Sequence, residues 1–248
     1  NRHHFATLTS GFTAVTNHYM HVKLARLLEF IDRPSFRALN DESYFSPGNT
    51  EARDRDEWQH LDRVPARDEQ RRDEGAMRRM VREMVEVFED TSLDNLRDRA
   101  NELIHYFRSE YPGKKDLPHI QRLKGMCREW EAECLWGYFG WQTRNVSHLR
   151  LGFYTGDIFT EEPTVGRDVE PVVRLLADVN PDVVTVALDP EGSGPDTHYK
   201  VLQTVAEALR IHAERTGRDD ITVGACRTST SLSVTRAMCL RDAGISAG

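Results

Sequence analysis

Apolar residues follow two rhythms along this chain. From residue 17 to about 138 they recur at helical spacing, and beyond that short β-rich runs alternate with helical ones. "FATLTSG" (Phe5–Gly11) predicts a strand and a turn. "NHYMHVKLARLLEFID" predicts a helix carrying Tyr19, Val22, Leu24, Leu27, Leu28 and Ile31, closed by Pro34. "MRRMVREMVEVFED" sets Met77, Met80, Val81, Met84, Val85 and Phe88 on one side of a helix, and "LDNLRDRANELIHYFRSEY" predicts another. A long helical run from His119 to about Tyr138 carries Ile120, Leu123, Met126, Cys127, Trp130, Cys134 and Leu135.

The second rhythm begins with "VSHLRLGFY", read as a strand, followed by "GRDVEPVVRLLADVN" as a helix. "PDVVTVALD" predicts a strand covered on both faces, because its apolar run is nearly continuous. "THYKVLQTVAEALRIHAERTG" predicts a helix stopped by Gly217, and "DDITVGA" a last strand. Strands alternating with helices across short links imply parallel pairing with right-handed crossovers. The expected fold class is therefore α/β, a Rossmann-like parallel sheet with a charged helical insertion. The expected organisation is one domain over 1–223, with the insertion at about 41–116 and an irregular tail at 224–248. Within the insertion, residues 41 to 75 are crowded with acids and arginines and predict a solvated helix or a mobile excursion.

Composition narrows the function class. The 248 residues are 39% apolar and 29% charged, with a formal net charge of −7, which argues against a general nucleic-acid binder. No apolar stretch is long enough to span a bilayer. Four cysteines without CxxC spacing suggest neither a disulfide framework nor a cysteine-rich metal site, and a reducing, cytoplasmic setting is expected. The chain opens at Asn1 without a methionine and loses periodicity after Val223, as expected of a domain trimmed at both ends or of a disrupted reading frame.

In parallel α/β folds, ligands sit beyond the carboxyl ends of the strands. Two segments qualify, "LDPEGSGPDTH" after "VVTVAL" and "TSGFTAVTN" after the first strand. The former offers Asp189, Glu191 and Asp196 as proton-transferring groups, His198 as a metal-compatible one, and Gly192 and Gly194 as permissive backbone. Asp196 or Thr197 would equally serve as a helix cap. In the latter, Ser10, Gly11 and Thr13 are candidate substrate-binding residues, as is Gly194 in the former. His18 and His21 lie on the helix after the first loop, His148 lies within a strand, and His60, His105, His119 and His212 are expected at the surface. His3 and His4 precede the first strand and are expected to be incidental. A nicotinamide site is disfavoured because no GxGxxG occurs.

The blocks "LTSGFTAVTN", "LKGMCREWEAECLWGYFG" and "HLRLGFY", with the D-P-x-G…T-H-x-x-x-L pattern that follows, occur in an order that resembles the zinc-dependent de-N-acetylases of the LmbE/PIG-L type. The resemblance covers roughly Phe5–Asn17 and Leu123–Val223 and is nearest the branch associated with, or fused to, glucosamine-6-phosphate deaminase. It implies a hydrolase that removes an acetyl group from an N-acetylated amino sugar, with zinc as cofactor. His198 would be the third zinc ligand, and Asp196 would orient it or the oxyanion. The family's H-P-D-D motif, which supplies the other two ligands, is absent from this sequence and would fall before Asn1. The alternative is a non-catalytic module that binds a sugar phosphate through backbone N–H groups and helix N-termini. The expected partner is a small amino-sugar substrate, with no nucleic acid and no membrane span. A homo-oligomer is left open.

Overall fold

A computed structural model describes residues 3–63, 69–111, 113–157, 160–188 and 195–227. The chain forms two compact units, Asn1–His148 and Leu149–Gly248. It is predominantly helical, with two small parallel sheets.

The first unit opens with strand β1 (Phe5–Thr7) and a single 3-10 turn over Phe12–Ala14. Helices α1 (Asn17–Ile31), α2 (Pro34–Asp41), α3 (Thr50–Arg63), α4 (Glu69–Phe88), α5 (Leu93–Ser109) and α6 (Pro118–Tyr138) follow, and strand β2 (Val146–His148) closes it. β1 and β2 pair in parallel, Phe5 opposite Val146 and Thr7 opposite His148.

Helix α1 starts where Thr16 accepts a hydrogen bond from the Tyr19 backbone N–H, satisfying one of its first-turn donors. Its buried stripe is Met20, Leu24, Leu27 and Ile31, with Phe30 beside it. Tyr19 and Val22, expected on that face, are exposed instead. Leu24, Leu27 and Ile31 lie on the buried face as their spacing predicted, and only Tyr19 and Val22 fall outside the stripe. Pro34 does not merely stop α1. It occupies the first turn of α2, where its missing N–H has no helical partner to lose.

The charged stretch of the insertion is not a solvated coat. Helix α3 packs along α4, and Ala52 joins a core built from α1, α2, α4, α5 and α6. Asp56 and Glu57 are fully buried. Asp56 accepts hydrogen bonds from Tyr44 Oη at 2.5 Å and Arg82 Nε at 2.8 Å, so an arginine of α4 neutralises this acid of α3. Alternating charge in the sequence hid this pairing, which lies between helices rather than along one.

The second unit holds one turn of π-helix (Val165–Val169) leading into α7 (Glu170–Val179), then β3 (Val183–Leu188), α8 (Pro195–Thr216) and β4 (Thr222–Arg227). β3 and β4 pair in parallel, Val183 opposite Thr222, as the alternating pattern predicted. "VSHLRLGFY" yields only the three-residue β2, and the chain beyond it is irregular. β3 is not covered on both faces near its start, where Val183 is 59% exposed while Val186 is buried. A continuous apolar run therefore marked the strand without marking its cover. Gly217 ends α8 at φ 72°, donating its N–H to Ala213 O. Among the described residues β1 pairs only with β2, so the α/β reading holds at the level of two parallel pairs.

The α3–α4 crossing is close because Gly75 has no side chain. A Cβ there would stand 2.7 Å from the Asp56 carbonyl oxygen. Gly75→Ala is expected to destabilise the protein by about 1–3 kcal/mol, measured by urea denaturation. An unchanged midpoint would show that the two helices separate without cost.

Candidate functional site

In the second unit the crossover β3–α8–β4 places Asp196 and His198 in the first turn of α8. Asp189, Glu191, Gly192 and Gly194 lie outside the described residues. Asp196 is engaged. Its Oδ2 accepts from Thr160 Oγ1 at 2.5 Å and from Lys200 Nζ at 3.0 Å. The bond from Thr160 and then that from Lys200 hold its carboxyl below the usual carboxylate range. A carboxylate held ionised in this way orients neighbours better than it accepts a proton. Lys200 is buried, which works against its charge, but the bonds to Asp196 and Glu162 outweigh that and raise its pKa. Its ammonium also reaches Thr160 O at 2.8 Å, tying α8 to the segment before α7. His198 is half-buried.

That segment has its own anchor. Asp168 is fully buried, and its carboxylate accepts from the backbone N–H of Phe153 at 3.0 Å and of Thr164 at 2.9 Å. Arg167 Nε adds a third bond at 2.9 Å. Nothing in the sequence pattern distinguished Asp168 from a surface acid. His212 was likewise expected at the surface and is buried, with Nε2 unpartnered among the described residues. It completes the stripe Val205, Ala208, Leu209, His212, a spacing that a polar reading of histidine passes over.

In the first unit Ser10, Gly11 and Thr13 share one turn. Gly11 sits at φ 62° and caps the 3-10 turn, a conformation that glycine takes without penalty. Ser10 rests on α6 at Gly125, where a Cβ would come within 3.0 Å of the Ser10 Cβ. The "LKGMC" glycine thus gives the "TSG" loop its seat. Thr13 is exposed.

The most organised chemistry lies at the carboxyl ends of β1 and β2, where sequence reasoning proposed the loop after β1 but not Thr7, His148 or Glu133. Thr7 Oγ1 and His148 Nδ1 are 2.6 Å apart, and His148 Nε2 lies 2.9 Å from Glu133 Oε1. Glu133 is fully buried on α6 and also accepts from Arg79 Nη1 at 2.6 Å and from Arg53. Arg79 in turn reaches Glu83 at 3.1 Å. Hydroxyl, imidazole and carboxylate form one chain along which a proton can be passed. No sequence signal paired them, because the register that sets Thr7 opposite His148 is a property of the folded strands.

A second buried acid stands beside this chain. Neither oxygen of Glu57 has a hydrogen-bond partner among the described residues. Burial, and then the neighbouring Asp54, push its carboxyl up to about 7, against the pull of Arg53 and Arg79.

These residues do not compose a zinc centre. A catalytic zinc requires three protein ligands, and among the described residues no group of three or more His, Cys, Asp or Glu side chains could hold a metal. His198 is the one imidazole in the α8 turn, and Asp196 is committed to Lys200 and Thr160. No family profile, curated protein or solved structure matches the chain. Among the described residues no helix is long and apolar enough to cross a membrane.

Two outcomes are expected. Glu133→Ala removes the shared acceptor of a buried arginine and should cost about 3–5 kcal/mol in chemical denaturation; a loss within experimental error would mean that water replaces the carboxylate. Glu57 has a folded pKa of about 7 above its ordinary 4.5, so its contribution to stability is intact below pH 4.5 and is lost as pH rises toward 7. Glu57→Gln should therefore flatten the fall in melting temperature between those pH values and raise stability at pH 8. An identical pH profile in the variant would exclude Glu57 as its source.

Proposed function

We propose that this protein is an amide hydrolase of the LmbE/PIG-L type, acting on an N-acetylated amino sugar. The observation that carries the reading is the α8 turn. A helix leaves the carboxyl end of a strand that is paired in parallel, and its first turn presents Asp196 and His198. In α/β folds that position is where ligands meet strand-end loops and helix N-termini.

In this reading His198 is the metal-binding residue, and zinc, when bound, supplies the Lewis acid that polarises the amide carbonyl. Its further ligands come from outside the described residues. Asp196 orients. Its bonds to Lys200 and Thr160 fix the start of α8 and hold a negative charge beside the histidine's turn. The order of the sequence blocks from Phe5 to Val223 supports the same family. The alternative, a sugar-phosphate-binding module or part of a glucosamine-6-phosphate deaminase-type fusion protein, shares the loops and lacks the metal.

Metal analysis of the purified full-length protein separates the two. Roughly one zinc per chain is expected, absent from a folded His198→Ala variant, with deacetylation of N-acetylglucosamine derivatives lost alongside it. Zinc content undiminished in the variant sinks the assignment of His198. Sugar-phosphate affinity that survives chelation, in a protein that never holds zinc, establishes the binding module instead.

A further inference from the structure

Thr7, His148 and Glu133 meet at the carboxyl ends of β1 and β2, and the reading built on His198 and zinc uses none of them. We propose that they form a second catalytic site, an acyl-transfer triad that hydrolyses a small carboxylic ester. Thr7 is its nucleophile, His148 its general base and Glu133 its positioning residue.

The fold brings the three together. Thr7 and His148 stand opposite each other on parallel strands, and side chains at one register of neighbouring strands project to the same face about 5 Å apart. Thr7 Oγ1 thereby reaches His148 Nδ1 at 2.6 Å, while the far ring nitrogen, Nε2, reaches Glu133 Oε1 at 2.9 Å. The histidine side chain is only 6% exposed and that of Glu133 is closed to solvent, so water does not compete for either bond.

The direction of the proton chain follows from its buried end. Glu133 receives Arg79 and Arg53 as well as His148, and a carboxylate only accepts hydrogen bonds. Nε2 therefore carries a hydrogen. The two guanidinium groups already balance the carboxylate charge, which lets the imidazole be neutral, and a neutral ring with its hydrogen on Nε2 has a bare Nδ1. The Thr7 hydroxyl donates to that nitrogen. Hydroxyl to base and base to a buried orienting carboxylate is the arrangement that activates a nucleophile, whichever ring nitrogen faces which partner.

Donors for the charge that develops lie just beyond the nucleophile. Among the described residues the backbone N–H groups of Thr9, Ser10 and Gly11 donate to no carbonyl, and Gly11 turns the chain at φ 62°. Unpaired N–H groups in a fixed turn are what an oxyanion requires. Thr7 and these three residues are half-buried, which leaves room for a small acyl group rather than a bulky one.

In the first step Thr7 Oγ1 attacks the ester carbonyl carbon as its proton passes to Nδ1. The bond from that carbon to the alcohol oxygen breaks, and Nδ1 returns the proton to the departing oxygen. Water then attacks the acyl-threonine, giving one proton to Nδ1, and Thr7 Oγ1 recovers that proton as the carboxylic acid leaves. No redox partner is needed. An ester is favoured over an amide because an alcohol departs with help from one imidazole, whereas an amine requires fuller protonation.

The test uses the full-length protein, treated with EDTA so that a zinc-dependent reaction is silenced, and p-nitrophenyl acetate. A burst of p-nitrophenolate is expected, with an acetyl group located on Thr7 by peptide mass spectrometry. Thr7→Val, which keeps the side-chain shape, should lose the acetyl group and slow turnover by about a hundredfold or more. Thr7→Ser should keep both. For Glu133 the readout is the ring tautomer, seen by NMR of isotope-labelled histidine. The parent should hold the His148 hydrogen on Nε2, and Glu133→Gln, whose amide N–H₂ can face the ring, should move it to Nδ1. The proposal is overturned if the EDTA-treated parent hydrolyses the ester no faster than buffer, or if its acetyl group sits on another residue. It is equally overturned if Thr7→Val turns over as the parent does, or if parent and Glu133→Gln share one tautomer. Because acetylation is located in the parent itself, a variant that failed to fold would leave that outcome decisive.

Discussion

The first unit depends on one buried carboxylate. Glu133 projects from α6, fully out of solvent, and receives Arg53 from α3, Arg79 from α4 and His148 from the end of β2. Removing a carboxylate from water is costly unless partners replace its hydration. Two guanidinium groups and an imidazole do so here. Each partner comes from a different element, so satisfying the charge also fixes how those elements are arranged. Through His148 and Thr7 the same chain reaches both strands of the β1–β2 pair.

That constraint explains the composition of the insertion. Its arginines and acids read as a surface because charged residues are seldom buried. The alternating signs along "EARDRDEWQH" predicted a solvated helix or a mobile excursion. The structure pairs charges across helices instead, Arg53 with Glu133 and Arg82 with Asp56. A one-dimensional pattern does not encode which helix faces which, so the most buried polar chemistry was the least legible. Apolar stripes behaved differently. Met77, Met80, Val81, Met84 and Val85 are all buried as their spacing predicted, because a helical period needs no knowledge of the neighbour. Tyr19 and Val22 show the limit of that rule, since period alone does not set how wide a stripe of α1 is covered.

The same distinction runs through the candidate sites. The β3–α8–β4 crossover was legible, because strand and helix periods alternate and Gly217 marks the end of α8. With it came the placement of Asp196 and His198 in one helical turn. What Asp196 touches was not legible. Thr160 lies 36 residues upstream and carries no pattern that would single it out. Asp168 is the sharper case. Buried and bound to two backbone N–H groups, it holds the irregular stretch after β2, yet beside Arg167 it reads as half of an ordinary surface pair.

Three acids of α3, Asp54, Asp56 and Glu57, show how pairing bears on chemical character. Asp54 bonds Thr143, Asp56 bonds Tyr44 and Arg82, and Glu57 between α3 and Gly137 bonds nothing among the described residues. Their sequence neighbourhoods are nearly identical. Asp56 is buried and paired, and burial still raises its carboxyl, though Arg82 and Tyr44 pull against that rise. Glu57 is buried and unpaired, so burial dominates and its carboxyl rises to about 7. Arg53 and Arg79 pull against that rise but are already committed to Glu133, which leaves Glu57 the acid without a hydrogen-bonded cation. The network around Glu133 therefore does two things at once. It satisfies its own buried charge, and by drawing in the nearest guanidinium groups it leaves a second buried carboxyl poised to take or release a proton near neutral pH.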